Sequence, residues 1–245
     1  MFSFSLATLA IASLSSSGVP PALVDRHLTD YYNRAWTAAD GGDLQKGIGM
    51  LKLLLIPANT KASIDYTGVP EHARAGFGRG VRAGLGMWKS ALGDDFPITL
   101  TDDAEAPIRI RFVDVVDAHR DDCKGEITAT RRIQWNHEVH YVEFKAQIEI
   151  ARYADGRRMM SEAEVAHVTA HEIGHALGLD DVQHVGWLMG PLEIGNPARS
   201  IHRSEVSSVV DFRRLLREDI VRVTEAAKPS PKRSGAPKLA TQTSH

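Results

Sequence analysis

His171-Glu172-Ile173-Gly174-His175, continued by Ala176-Leu177-Gly178-Leu179-Asp180-Asp181, is the stretch that decides the fold. Four residues nearly complete a helical turn, so the two imidazoles project from one side of an α-helix. That spacing lets both rings reach one zinc ion at about 2.0–2.1 Å. Glu172 is turned only about 100° from His171, which brings its carboxylate within reach of a water on the metal. Such a constellation makes hydroxide near neutral pH and aims it at a polarised carbonyl. The residues alone therefore predict a zinc-dependent peptidase.

The residues before the motif support a helix. Ser161 followed by Glu164 forms a capping box that starts one ten residues upstream of His171. Ala166, Ala170, Ile173 and Leu177 then make an apolar stripe at helical spacing, and the two histidines fall on roughly the opposite side. Core and metal site do not compete for one face. His167 shares the histidine face, but it stands about 12 Å along the axis from His175, too far for both to bind one ion. It is expected at the surface or behind the ligands.

The run from His171 to Asp181 resembles the extended zinc signature of the metzincins and, more narrowly, that of the matrixins and their bacterial relatives. In that family a glycine ends the helix, and the residue three positions later supplies the third ligand. Gly178 and Asp181 occupy those positions, and glycine suits a turn that needs a left-handed residue. Trp187-Leu188-Met189-Gly190-Pro191 matches the family's methionine turn, with Met189 eight residues after position 181. The resemblance implies one catalytic Zn²⁺ held by His171, His175 and Asp181, with Glu172 as the general base. It also implies an α+β catalytic domain: a twisted mixed sheet, a long helix, the zinc-binding helix, the Met-turn and a C-terminal helix. The implied activity is hydrolysis of peptide bonds in a protein or peptide substrate.

Three positions depart from the family. Most matrixins have histidine where this chain has Asp181, although some bacterial metzincins resemble it there. Carboxylates bind zinc at about 2.0–2.2 Å, so the chemistry allows the exchange. His184, three residues on, is the competing third ligand if the loop takes another path. Gly190 and Glu193 stand where the family usually carries tyrosine and an aromatic wall residue, which leaves the shape of the adjoining pocket open. Two other classes share parts of the pattern. One is a non-catalytic zinc-binding or interaction domain, which retention of Glu172 disfavours. The other is a zinc hydrolase of a non-peptide substrate, which the Met-turn disfavours.

Composition bounds the partners. The 245 residues are 43% hydrophobic, enough for one sizeable core with appendages. Lys plus Arg number 29 and Asp plus Glu 31, a balance that gives no reason to expect nucleic acid. Beyond the amino terminus, no apolar run is long enough to span a bilayer. Phe2 to Leu14 is apolar, with Ala10-Ile11-Ala12 resembling a small-residue cleavage site. Residues 1–18 are thus read as a signal peptide without its usual positive start. A secreted or extracytoplasmic location is the expectation, a cytoplasmic one the alternative. Cys123 is the single cysteine and cannot form an internal disulfide. Nothing in the sequence sets the oligomeric state, and a monomer is expected.

Outward from the motif, the pattern predicts four segments. Residues 19–56 form a helical extension or pro-region, an αα-hairpin around Gly41-Gly42. Leu23, His27, Tyr31 and Ala35 share one face of its first helix, and Leu44, Ile48, Leu51 and Leu55 one face of its second. Residues 57–227 form the catalytic domain. It should open with a strand over Ser63–Tyr66 and a helix after Pro70 to about Leu92, with Phe77, Val81, Leu85 and Trp88 inward. Strands are expected over 98–101, 108–113, 126–135 and 139–153, the last two around a turn at Asn136-His137. Asp114, Asp117, Asp121 and Asp122 read as a solvated loop, because the glycine-rich loop and histidine spacing of the family's structural zinc and calcium sites are missing. His137 and His140 would face opposite ways in a strand and share no ligand. Ser204 is expected to cap a last helix to Ala226, with Val206, Val210, Leu215 and Ile220 inward. Residues 228–245 lack large apolar residues and read as a disordered tail.

Overall fold

A computed structural model of the chain describes residues 16, 18–116, 123–136 and 139–228. The apolar stretch Phe2–Leu14, the acidic residues Asp117, Asp121 and Asp122, His137 and the tail after Lys228 lie outside the described residues, as does the side chain of His140.

The alternating segments pair into one five-stranded sheet. β1 (Thr60–Asp65), β2 (Ile98–Leu100), β3 (Ile108–Val113), β4 (Gly125–Asn136) and β5 (Val139–Ala151) lie in the order β2-β1-β3-β5-β4. β1 runs parallel to β2 and β3, and β3 runs parallel to β5. β4 runs antiparallel to β5 and occupies one edge. The expected first strand begins earlier than Ser63, because Thr60 and Lys61 pair with Ile98 and Thr99 of β2. β5 ends at Ala151, and Tyr153 joins only an isolated bridge to Met159.

Period-two patterning sorts the two faces of this sheet. Ile108, Ile110 and Phe112 of β3, with Phe144, Ala146, Ile148 and Ile150 of β5, are buried in the main core. The intervening Arg109 and Arg111 turn the other way and pair with Asp65 and Glu149. Two helices cover the apolar face, α3 (Glu71–Leu92) and α4 (Glu162–Ala176). The inward set foreseen on α3, namely Phe77, Val81, Leu85 and Trp88, is buried. Fully burying such side chains stabilises by about 1.5–3 kcal/mol each. The two helices cross closely: a Cβ on Gly84 would stand 2.8 Å from Thr169 Cβ, and Trp88 Nε1 donates to the Ala170 carbonyl at 2.7 Å.

A second core lies beneath the hairpin. α1 (Arg26–Asp40) and α2 (Leu44–Leu53) pack on α5 (Arg203–Ala226), with Tyr32, Trp36, Ile48 and Leu51 against Phe212, Leu215, Leu216 and Val223. The inward face of α1 is therefore centred on Tyr32, Ala35, Trp36 and Ala39; of the expected Leu23, His27, Tyr31 and Ala35, Ala35 is buried as expected while His27 is exposed. On α5 Leu215 is buried as expected and Ile220 packs partly buried against the same core. Val210 is 45% exposed, while Val209, Phe212 and Leu216 take the core positions. Its cap is His202, whose side chain accepts from Ser204 N, so Ser204 is the first-turn donor and not the cap.

Candidate metal centre

The helix bearing the motif is capped as the sequence predicts. Ser161 Oγ accepts from Glu164 N, and Glu164 Oε2 accepts from Ser161 N at 2.7 Å. α4 ends at Ala176, and Gly178 follows with φ +106°, a conformation that strains any side chain. The chain then turns back, and three ligand-type atoms meet. His171 Nε2 lies 3.1 Å from His175 Nε2 and 3.1 Å from Asp181 Oδ1, and His175 Nε2 lies 3.4 Å from the same oxygen.

This triangle fits a metal. Three donors at about 2.0–2.1 Å from a tetrahedral zinc stand roughly 3.3 Å apart. Among the described residues, His171, His175 and Asp181 are the one group of three or more such side chains close enough to share an ion. His184 is not in that group. It is exposed, and its ring packs on Trp187 at 4.7 Å between centroids, on the loop after Asp181. Both histidines are oriented from behind. His171 Nδ1 meets the Leu188 carbonyl and His175 Nδ1 the Leu179 carbonyl, each at 2.9 Å. A carbonyl only accepts, so each Nδ1 carries a proton and each Nε2 faces the triangle, where it would offer its lone pair to a bound metal.

Electrostatics follow from the same contacts. The rings of His171 and His175 hold the Asp181 carboxyl well below the usual carboxylate range. Burial works against a charged His175 ring, yet Asp181 and Glu172 push it up to about 9. Glu172 is buried, which raises its carboxyl against the pull of His171 and His175. Asp181 remains 59% exposed at its side chain, so the triangle opens to solvent.

Met189 lies beneath α4, fully buried, and its N–H donates to the carboxylate of Glu205 at 2.7 Å. Val182 N donates to the Met189 carbonyl, which ties the segment after Asp181 to the turn. Gly190 has a backbone reason for departing from tyrosine: a Cβ there would overlap the His184 carbonyl oxygen.

Several contacts of this site were not foreseen from sequence. Gly125 at the start of β4 touches Glu172, so closely that a Cβ would overlap the Glu172 carboxylate and Val168. Glu164 accepts from Gly195 N at 2.9 Å and from both terminal nitrogens of Arg158. His167, expected at the surface or behind the ligands, is not at the surface but buried: Ala198 N donates to its Nδ1 at 3.0 Å, and burial lowers the ring to about 4. The capping box pointed to Glu164 as a helix residue. No local pattern showed that it and His167 also hold the loop that follows Met189.

The family model described as Matrixin matches residues 60–209, from the first residue of β1 into α5. No curated protein matches the chain.

Proposed function

The chain belongs to the matrixin family, and from that membership we propose an endopeptidase in which His171, His175 and Asp181 hold the zinc and Glu172 is the general base. Zinc-dependent cleavage of peptide bonds is what the family implies. The observation that carries the assignment is the 3.1, 3.1 and 3.4 Å triangle of His171, His175 and Asp181, with Glu172 one residue along the helix. Bound there, zinc would supply Lewis-acid polarisation of a carbonyl and an acidified water.

The chain's own residues do the rest. Glu172, raised by burial, is suited to take a proton from the attacking water and return it to the leaving amine. β4 is an edge strand, and its first residue, Gly125, touches Glu172. An extended peptide adding to that edge would bring its backbone past the general base. The segment Pro191–Ile194, just after Met189, would line one wall of the cleft. In this reading residues 57–227 are the catalytic domain and 19–56 a helical extension docked on α5. We place the enzyme outside the cytoplasm, on the apolar stretch Phe2–Leu14. Among the described residues no helix is long and apolar enough to cross a membrane.

Metal analysis joined to casein or peptide-library cleavage tests the assignment. Wild type and Glu172→Ala should both hold one zinc, and only wild type should cleave. Zinc in both with cleavage in neither would sink the peptidase. Asp181→Ala should lose zinc while His184→Ala keeps it, and the reverse result would move the third ligand.

A further inference from the structure

The short segment between Gly178 and Asp181 is held along two edges. On one, the Leu179 carbonyl orients His175, and Leu179 N donates to the Gly174 carbonyl at 3.0 Å. On the other lies chain from before α1. Val24 and Leu179 form an antiparallel bridge, Asp25 N donates to the Gly178 carbonyl at 2.9 Å, and Asp180 N donates to the Leu23 carbonyl at 2.9 Å. The peptide units that precede Asp181 are thus pinned between the zinc helix and residues 23–25.

That amino-terminal segment is itself anchored. Asp25 caps α1 by accepting from Leu28 N at 3.1 Å. Tyr32 Oη donates to Asp219 Oδ2 at 2.6 Å, and Trp36 Nε1 donates to the same oxygen at 3.2 Å. At the other end of the hairpin, Arg131 donates from its two terminal nitrogens to the Leu53 carbonyl at 2.9 Å and the Ala176 carbonyl at 3.0 Å. It bolts the end of α2 to the end of α4. The hairpin therefore grips the last turn of the zinc helix and the loop after it, and it leaves the Asp181 side chain 59% exposed.

We infer that Leu23–Asp25 is a positioning strap for the metal centre: its backbone bonds preorder the loop that presents Asp181 and the carbonyl that orients His175. The inference rests on the reading that His171, His175 and Asp181 hold zinc. An exposed carboxylate on an untethered loop must be ordered each time a metal binds, and that ordering entropy weakens binding. With the strap in place the order exists beforehand. The amino-terminal hairpin is then part of the working site, not a segment that must depart before the site can function.

One backbone atom makes the test clean. Asp25 has φ −49°, which proline can adopt, so Asp25→Pro keeps the local backbone allowed while it removes the N–H that bonds Gly178 and sets its ring against that carbonyl, releasing the strap there. Asp25→Ala loses the same helix-capping carboxylate but keeps the N–H, and serves as the reference. Loss of an outer partner of a metal site typically costs about 10–100-fold in affinity. We expect Asp25→Pro to bind zinc at least about 10-fold more weakly than Asp25→Ala by chelator competition, with the cobalt-substituted visible spectrum altered and circular dichroism unchanged. Equal zinc dissociation constants and spectra in the two variants would overturn the strap while leaving the zinc reading intact. Wild type that takes up no zinc would overturn both. Hydrogen exchange on the zinc-free wild type needs no variant: the Asp180 amide should be protected, and exchange at the rate of an open loop would also overturn the strap.

Discussion

Met189 Sδ fills the space that a Cβ on Gly174 would need. Gly174 stands on α4 between His171 and His175, so the sulphur presses on the backbone that spaces the two rings. Alanine favours helix by about 1 kcal/mol over glycine, but overpacking a tight contact costs about 1–3 kcal/mol. Gly174→Ala should therefore destabilise the protein in urea and lower zinc retention. Adding Met189→Ala should recover part of the loss, because it removes the atom in the way. A Gly174→Ala protein more stable than wild type would show that the contact is slack.

Gly125 answers for the other side of Glu172. A Cβ at this first residue of β4 would overlap the carboxylate and the Val168 methyl. Glu172 would have to swing away from the triangle, whereas no ligand-type atom of the triangle is touched. Gly125→Ala should keep its zinc and lose turnover, since a misplacement of about 1 Å can cost roughly 100-fold. Steady-state kinetics beside metal content checks this, and unchanged kcat would release Gly125 from the cleft.

Glu164 gives a pH signature. The Arg158 guanidinium, helped by the Ser161 and Gly195 amides, outweighs burial and holds its carboxyl down to about 2. The folded protein keeps this carboxylate charged more strongly than the unfolded chain, whose ordinary value is near 4.5. Its stabilisation is thus complete above about 4.5 and fades as pH falls toward 2. Melting curves of wild type and Glu164→Gln should differ most above that upper value and converge in acid. Because Glu164 also holds Gly195, the variant should shift cleavage preference across a peptide library. A melting gap independent of pH would place the loss elsewhere.

What the sequence reaches of the candidate site is local: His171, Glu172 and His175 lie within one helical turn, so helical periodicity groups them, whereas Gly178, Asp181 and Met189 are assigned only from the resemblance to the family's signature. The remainder depends on partners far along the chain. His167 reads on the helix alone as a residue at the surface or behind the ligands, and only the fold shows that the loop at Ala198 covers it. Glu205 looks like a first-turn acid of α5, yet it holds the Met189 amide. On α1 and α5 the expected Ala35 and Leu215 are buried, but Tyr32 and Val209 take the places expected of Tyr31 and Val210, for the same reason. An amphipathic stripe gives the period of a helix, and only the docking of one helix on the other picks which flank is buried. The sheet was easier, since alternation in β3 and β5 marks a buried face whatever covers it.

That docking carries the last prediction. Asp219 on α5 is fully buried and accepts from both Tyr32 Oη and Trp36 Nε1. In an apolar cluster these bonds choose one register of the hairpin against α5, where apolar contact alone would tolerate sliding. Tyr32→Phe removes a donor and should cost about 1–2 kcal/mol, while Asp219→Ala takes the shared acceptor from two donors and should cost more, about 2–4 kcal/mol. The double variant should lose less than the sum, because Asp219→Ala already breaks the short Tyr32 bond and leaves the hydroxyl only the longer 3.4 Å contact to the Gly18 carbonyl. Urea denaturation of the four proteins measures the coupling. Strict additivity would mean that Tyr32 and Asp219 act independently and that their bond does not set the register.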